Sequence, residues 1–208
     1  MKFTPSGLPS SSPSSRCCGT RYMNIFEKIK FILGRPKVVI VAGGNSQVTA
    51  EIISRVLGPH FKTGKKVLVF GSDLEDLEKI KFLIGNSSLP VLVATKYNEE
   101  IRELARVIPA QGFLVLNSDE KEELEEIKKG STAHCLTFGF REKDNFQASD
   151  IKENGRVNFK ISYDGNIIPV WLEKSTDKEG ISAALAAATV GTIFGLNLVE
   201  ISQALKSS

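Results

Sequence analysis

The stretch KVVIVAGGNSQVTAEIISRVL (residues 37–57) decides the fold of this chain. It starts with five consecutive apolar residues, Val38 to Ala42, which is typical of a parallel strand buried on both faces. After a turn that contains two glycines, apolar residues recur at helical spacing: Val48, Ile52 and Val56. In a strand, turn and helix of this kind, backbone N–H groups and a helix N-terminus face one ligand. The turn is therefore the first place to look for a binding site.

The alternation of strand and helix continues along the chain. We predict strands at 65–71, 89–95, 112–117 and 134–140, with helices at 73–85, 98–108 and 119–130 between them. Asp73 is expected to cap the first of these helices and Gly85 to end it. Strands that alternate with helices imply a three-layer α/β fold, in which helices cover both faces of a mostly parallel sheet.

The segments before the first strand and after residue 140 differ from this pattern. Residues 146–172 alternate apolar and polar side chains around Asn-Gly and Asp-Gly pairs, which predicts a small antiparallel β-meander. A helix rich in small residues at 180–195 and a short helix after Asn197 follow. Before the first strand, one apolar face of a short helix ending at Gly34 is formed by Ile25, Phe26, Ile29, Ile32 and Leu33.

Composition and charge exclude several classes of protein. With 41% hydrophobic and 25% charged residues, the chain is an ordinary globular sequence rather than a fibrous, disordered or disulfide-rich one. Residues 1–22 are rich in Ser and Pro and contain three basic residues and no acid, so we expect a disordered leader, followed by a single domain over 23–208. The remainder is neutral, which argues against nucleic-acid or membrane partners. Three cysteines without metal-ligand spacing fit a reducing compartment, and we expect a cytoplasmic protein.

Several stretches, in this order, carry a family resemblance: RPKVVIVAGGN (35–45), IPAQGFLVLNSDE (108–120), HCLTFGF (134–140), NFQASDI (145–151) and ISAALAAATVGTIFGLNLVEISQAL (181–205). Together they resemble the central, ATP-binding domain of the Mur ligases, nearest to the D-alanyl-D-alanine-adding ligase, over about residues 35–205. The resemblance implies a cytoplasmic, ATP- and Mg²⁺-dependent enzyme that adds amino acids to peptidoglycan precursors. It also implies that the N- and C-terminal domains of that family are lacking here.

The phosphate loop departs from the family pattern T-G-x-x-G-K-T/S. The aligned residues are Ala42, Gly43, Gly44, Asn45, Ser46, Gln47 and Val48, with Thr49 next. Ser46 stands in place of the second glycine, Gln47 in place of the lysine, and Val48 in place of the hydroxyl that binds magnesium. The nearest lysines in the sequence are Lys37 and Lys62. We expect this degenerate loop to be kept as a strand-to-helix turn, and a residual anion or nucleotide site is the alternative.

Two further contacts that the resemblance implies are also replaced. Ala94 and Thr95 stand where the family has an acidic magnesium ligand, and Glu179, Gly180 and Ala183 stand where an H-N-x-x-N motif contacts adenine. The sequence therefore suggests no catalytic residue and no metal ligand, and we expect no cofactor to be bound.

Three hypotheses about function follow. The first is a pseudoenzyme, a Mur-ligase-like module without ligase activity of its own that binds a Mur ligase or a second copy of itself. The second is a ligase, or one subunit of a split ligase, that uses ATP and Mg²⁺ and is completed by a partner chain. The third is a small-molecule binder that uses the crevice at the carboxyl ends of the strands.

Overall fold

The computed structural model describes residues 24–61, 66–72, 76–119, 121–153, 157–172 and 177–206. The predicted leader at 1–22, Asp73 and Lys62 lie outside these ranges. In the described part of the chain the helices are α1 (Ile25–Gly34), α2 (Ser46–Leu57), α3 (Leu77–Gly85), α4 (Glu99–Val107), α5 (Lys121–Gly130), α6 (Lys178–Ile193) and α7 (Leu198–Lys206). The strands are β1 (Lys37–Ala42), β2 (Val67–Ser72), β3 (Leu89–Ala94), β4 (Phe113–Asn117), β5 (His134–Gly139), β6 (Phe146–Glu153), β7 (Val157–Tyr163) and β8 (Asn166–Leu172).

The eight strands form one sheet in the order β2-β1-β3-β4-β5-β6-β7-β8. The pairings from β2 through β6 are parallel, and those of β6 with β7 and β7 with β8 are antiparallel. The predicted three-layer fold and the meander are both confirmed. The meander is a continuation of the main sheet, because Phe146 at the start of β6 pairs with Phe138 of β5.

A hydrophobic core lies on each face of the sheet, which explains the uninterrupted apolar run of β1. Val39 and Val41 contribute to the core beneath α2, α6 and α7. Val38, Ile40 and Ala42 contribute to the core beneath α1, α3, α4 and α5. Successive side chains of a strand point to opposite faces, so a strand covered on both sides has no polar position.

The helix α6 packs most closely. Its residues Ala184 to Ala188 are fully buried, and Gly191 lies against Ile201 of α7 and Val56 of α2. Small side chains allow three helices to approach one another here. The predicted cap of α7 is confirmed, because the side-chain oxygen of Asn197 accepts a hydrogen bond from the Glu200 N–H at 2.9 Å.

The predicted start of α3 is corrected by the structure. The helix begins at Leu77 rather than at residue 73, and Asp76 caps it by accepting a hydrogen bond from the Lys79 N–H at 3.0 Å. Two aspartates in the segment DLED offered equivalent capping side chains, and the later one is used. The predicted end at Gly85 is confirmed.

The free edges of the sheet are β2 and β8. Pro169 lies in the middle of β8, paired with Lys160 of β7, and its carbonyl oxygen accepts a hydrogen bond from the Ser202 hydroxyl of α7 at 2.8 Å. Among the described helices, none combines the length and the apolar character needed to cross a bilayer.

Candidate functional site: the crevice above strands 1 and 3

The loop after β1 is held tightly against the end of β3. Gly43 has a φ of +103°, and a Cβ atom at this residue would lie 2.6 Å from the Lys96 backbone nitrogen and 2.8 Å from the Thr95 Oγ1. Only glycine combines this left-handed conformation with so close an approach. The loop therefore requires Gly43 for its shape, whether or not it binds a ligand.

The side chain of Thr95 ties the loop to β3. Its hydroxyl donates to the Gly44 carbonyl oxygen at 2.6 Å and also lies 3.1 Å from the Ala42 carbonyl oxygen. Thr95 is one of the two residues, with Ala94, where the family resemblance places an acidic magnesium ligand. Here the hydroxyl is occupied with backbone carbonyls and serves the loop.

The side chain of Lys96 lies directly over the loop. A Cβ atom at Gly44 would be 2.9 Å from the Lys96 Cε and 3.3 Å from its Nζ. The ammonium group therefore occupies the space in front of Gly44. The loop itself carries Gln47 where the family pattern has a lysine, and the lysine in front of Gly44 comes from the segment after β3.

Asn45 connects the loop to the far wall of the crevice. It adopts a left-handed conformation with a φ of 55° and makes no side-chain hydrogen bond to the N-terminus of α2. Instead, its amide nitrogen donates to the Glu179 carboxylate in the first turn of α6. This contact spans the crevice between α2 and α6.

The remaining residues of the predicted loop support the fold. Ser46 and Thr49 are buried at the start of α2. Gln47 points away from the loop, and its Nε2 donates to the Gly71 carbonyl oxygen of β2 at 3.0 Å. Val48 is 52% exposed. The structure thus brings Gly44, Asn45 and Thr49 to the crevice and directs the Gln47 side chain to the neighbouring strand.

The crevice has a volume of about 200 Å³. It opens at the carboxyl ends of β1, β3 and β4, where the strand order changes direction, which is the usual position of ligand sites in open α/β sheets. Its lining residues are Gly44, Asn45, Thr49, Thr95, Lys96, Asn117, Asp119, Phe140, Lys178, Glu179, Ser182 and Ala183. Two of these are cations and two are anions.

Each crevice carboxylate lies close to a polar or cationic partner. Asp119 lies 3.6 Å from the Lys178 ammonium, which is also 4.8 Å from the centre of the Phe140 ring. Glu179 accepts the hydrogen bond from Asn45. The carboxylates are thus engaged within the protein.

A turn follows the end of β4. The Asn117 side-chain oxygen accepts a hydrogen bond from the Asp119 N–H at 3.0 Å, and its amide nitrogen donates to the Thr95 carbonyl oxygen at 3.2 Å. A cap at a strand end explains why these two residue types occur two positions apart.

The donor atoms present do not fit a magnesium ion bound with a triphosphate. Within the described ranges, no three His, Cys, Asp or Glu side chains cluster in a way that could hold a metal ion. Val48 offers no lone pair, and the Thr95 hydroxyl is bonded to the loop. The Lys96 side chain in front of Gly44 is a cation and offers no lone pair to a magnesium ion.

The histidine and cysteine of β5 lie outside the crevice lining. His134 packs its ring 5.2 Å from that of Phe113. Cys135 is half-buried, its thiol donates to the Ala133 carbonyl oxygen, and burial raises the pKa of this thiol. These contacts are those of residues that support the fold, and they do not indicate a nucleophile or a pair of metal ligands.

Sequence reasoning missed the two lysines of the crevice. Lys96 follows β3, which is the sheet neighbour of β1, and Lys178 lies in the first turn of α6 after the Asp177 cap. The carboxyl ends of adjacent parallel strands meet at one edge of the sheet. The polar residues directly after β3 were therefore the sequence signal that could have identified Lys96 as a crevice residue. The lysines nearest in sequence were not the ones nearest in space: Lys37 lies at the start of β1, packed against Phe194.

Comparison with known proteins supports the resemblance to the Mur ligases. No family model matches the chain. Over 110 residues it is 29% identical to the UDP-N-acetylmuramate–L-alanine ligase of Caldanaerobacter subterraneus subsp. tengcongensis, which is 52% of this chain and 24% of that protein. The chain resembles the Mur ligases in sequence and in fold.

The similarity in fold extends further than the similarity in sequence. A D-alanyl-D-alanine-adding ligase from Acinetobacter baumannii superposes with a TM-score of 0.71 at 14% identity, covering 88% of this chain and 48% of that one. The corresponding ligase of Thermotoga maritima, solved in complex with ADP, gives a TM-score of 0.69 at 14% identity over 84% of this chain and 50% of that one. The curated sequence match and these structures belong to different Mur ligases, so the resemblance is to the family rather than to one member.

Proposed function

We propose that the chain is a Mur-ligase-like module that does not catalyse ATP-dependent ligation by itself and acts through binding, with a Mur ligase or a second copy of the chain as the partner. The observation that carries this proposal is the side chain of Gln47: it is neutral, it stands where the family pattern has a lysine, and it donates to the Gly71 carbonyl oxygen of β2. The exposed Val48, which has no hydroxyl to offer a magnesium ion, supports it.

The expected loss of rate is large. Removing a single donor that stabilises developing charge costs on the order of 10²–10³ in rate. Val48 stands in place of the hydroxyl that binds magnesium in the family pattern, and Asp119 and Glu179 balance the charges of the two crevice lysines. Lys96 supplies one cation, but a lysine does not replace a metal ion that bridges two phosphate groups.

Isothermal calorimetry with ATP, with and without Mg²⁺, tests the proposal. We expect no binding at millimolar nucleotide in either condition. Micromolar binding that depends on Mg²⁺ would overturn it.

The double variant Gln47→Lys with Val48→Thr provides the matched test of activity. We expect it to release no ADP in the presence of a muramoyl peptide, because the acidic magnesium ligand and the adenine contacts are still replaced.

A second candidate is a subunit of a split ligase. The chain spans 24% of the length of the curated relative it matches, and in this hypothesis a partner chain contributes to the same active site. Under this reading ATP and Mg²⁺ bind only in the complex. A gain of nucleotide binding when a Mur ligase is added would favour it over the first proposal.

A third candidate is a small-molecule binder, favoured by the two lysines of the crevice. Lys96 and Lys178 reach it from opposite walls and would attract a compact carboxylate or phosphate. A thermal-shift screen with uridine nucleotides, muropeptides and amino acids tests this, since any ligand that binds the folded state raises the Tm. The shift should disappear in Lys96→Ala and persist in Lys206→Ala, which lies on α7.

A further inference from the structure

The apolar face of α1 points away from the protein. Phe26 is 72% exposed and Leu33 is 80% exposed, and three isoleucines of the same helix are also exposed: Ile25, Ile29 and Ile32. Only Phe31 of α1 is buried, and it packs 5.9 Å from the Phe82 ring of α3. The described part of the chain therefore leaves this face uncovered.

Helix geometry makes the exposed side chains one continuous surface. At about 100° per residue, these five residues fall within an arc of about 120°, and Phe31 lies on nearly the opposite side. The helix thus faces the domain with Phe31 and with the Lys28 ammonium, which lies 5.4 Å from the centre of the Phe82 ring, and presents its wide apolar face outwards. Scattered surface hydrophobic residues are ordinary, but a contiguous arc of large ones marks an interaction surface.

Positive charge borders the apolar arc on both sides. By the same geometry, Lys28 lies about 40° beyond one edge of the arc and Lys30 about 40° beyond the other. Both are exposed, and Arg35 follows the helix, also exposed. The sequence before the helix, residues 1–22, adds three basic residues and no acid.

The acidic residue of α1 is turned away from this surface. Glu27 lies on the side of the helix far from the arc, and its carboxylate accepts a hydrogen bond from the Asn24 N–H at 3.0 Å in a capping box. In a symmetric pair of α1 helices, the lysines of both copies would meet with no carboxylate of the helix to neutralise them. The charge pattern therefore favours an anionic partner over a second copy.

We propose that α1 lies on an anionic lipid surface. An apolar arc bordered by lysines is the arrangement of helices that lie in the membrane interface, with the apolar side chains at the acyl boundary and the ammonium groups at the phosphates. The helix has ten residues, about 15 Å at 1.5 Å per residue, so it would lie on the bilayer and not cross it. This proposal departs from the expectation of no membrane partner, which was based on the neutral charge of residues 23–208. It is independent of the crevice.

Vesicle flotation with the full chain tests the proposal. We expect binding to vesicles that contain phosphatidylglycerol and at least tenfold weaker binding to pure phosphatidylcholine. The double variant Phe26→Ser with Leu33→Ser should lose at least tenfold in affinity for the anionic vesicles. Ile167→Ser with Val199→Ser is the matched control, because these residues are 66% and 56% exposed elsewhere on the surface, and it should bind like the wild type. Circular dichroism establishes that both variants are folded.

A charge variant tests the electrostatic part of the binding. Lys28→Glu with Lys30→Glu should reduce binding to the anionic vesicles at least tenfold and weaken its dependence on salt. Equal binding to neutral and anionic vesicles would overturn the proposal, as would full binding by the serine variant, which would assign the attraction to residues 1–22. Absence of vesicle binding together with a dimer that the serine variant dissociates would assign the face to a second copy instead.

Discussion

The loop after β1 and the helix α6 both lie in stretches that resemble the Mur ligases, yet they differ in what has been kept. In α6, the small residues that let α2 and α7 approach are present and fully buried. In the loop, Gly43, which the backbone shape requires, is present, whereas Gln47 and Val48 differ from the family pattern that the resemblance implies. The fold can thus keep its packing while the loop side chains change, because packing depends on the buried small residues and ligand binding depends on the loop side chains.

The largest expected effect tests the packing side of this comparison. Leu185→Ala removes a fully buried side chain between α6 and the sheet, and we expect a loss of about 2–5 kcal/mol in the free energy of unfolding. Urea denaturation followed by circular dichroism measures it. Val199→Ala, at an exposed position of α7, should change stability by less than about 0.5 kcal/mol. Equal effects of the two variants would contradict the close packing of α6.

A pair of glycines tests the loop. Gly43→Ala forces a Cβ atom against the Lys96 backbone in a left-handed conformation, and we expect it to cost about 1–3 kcal/mol. Gly44→Ala meets only the end of the flexible Lys96 side chain, which can move, so we expect a change below about 1 kcal/mol. The same denaturation experiment compares them. A larger cost at residue 44 would show that Lys96 is held rigidly over the loop.

A smaller effect distinguishes a structural from a ligand-binding role of Gln47. Gln47→Ala removes the hydrogen bond to the Gly71 carbonyl, with an expected loss of about 0.5–1.5 kcal/mol. Val48→Ala, its exposed neighbour, should be nearly neutral. If Gln47→Ala left stability unchanged but altered the affinity for any ligand of the crevice, the side chain would belong to the binding site.

The smallest effect is expected in the meander, which lies outside both the loop after β1 and α6 and therefore serves as a reference for them. The hydrogen bond and charge of Lys160 hold the pKa of the Asp150 carboxyl below its ordinary value. A carboxyl with a lowered pKa in the folded state stabilises the fold above its unfolded pKa, and this stabilisation is lost as the pH falls through the folded pKa. Asp150→Asn should therefore lower the Tm slightly at pH 7, and the difference should vanish below the folded pKa. Asparagine also tolerates the positive φ of residue 150.

Most of the fold could be predicted from the sequence, because its signals are local. Buried parallel strands are continuous apolar runs, as in Val38–Ala42, and Asn197 has the residue type and spacing of a cap. The start of α3 was wrong by a few residues because two aspartates could cap it. The departure of the loop from the family pattern could also be seen in the sequence, since the exchange of lysine for glutamine concerns the single residue Gln47.

The composition of the crevice could not be predicted in the same way. Lys96 reaches the loop because β3 is placed beside β1, and a one-dimensional pattern does not state which strands are neighbours. The contact of Asn45 with Glu179 joins residues 134 positions apart. The apolar face of α1 was visible in the sequence, but its outward orientation depends on how Phe31 docks against Phe82.

The proline in β8 has a consequence for assembly by strand addition. In an antiparallel strand the N–H and C=O groups of one residue point to the same side, and the Pro169 carbonyl is bonded to Ser202 of α7 on the side away from β7. That edge therefore lacks a donor and has its acceptor occupied at the midpoint of the strand, so an added strand could not form a regular ladder there. Extension of the sheet by another chain would have to start at the opposite margin, beside β2.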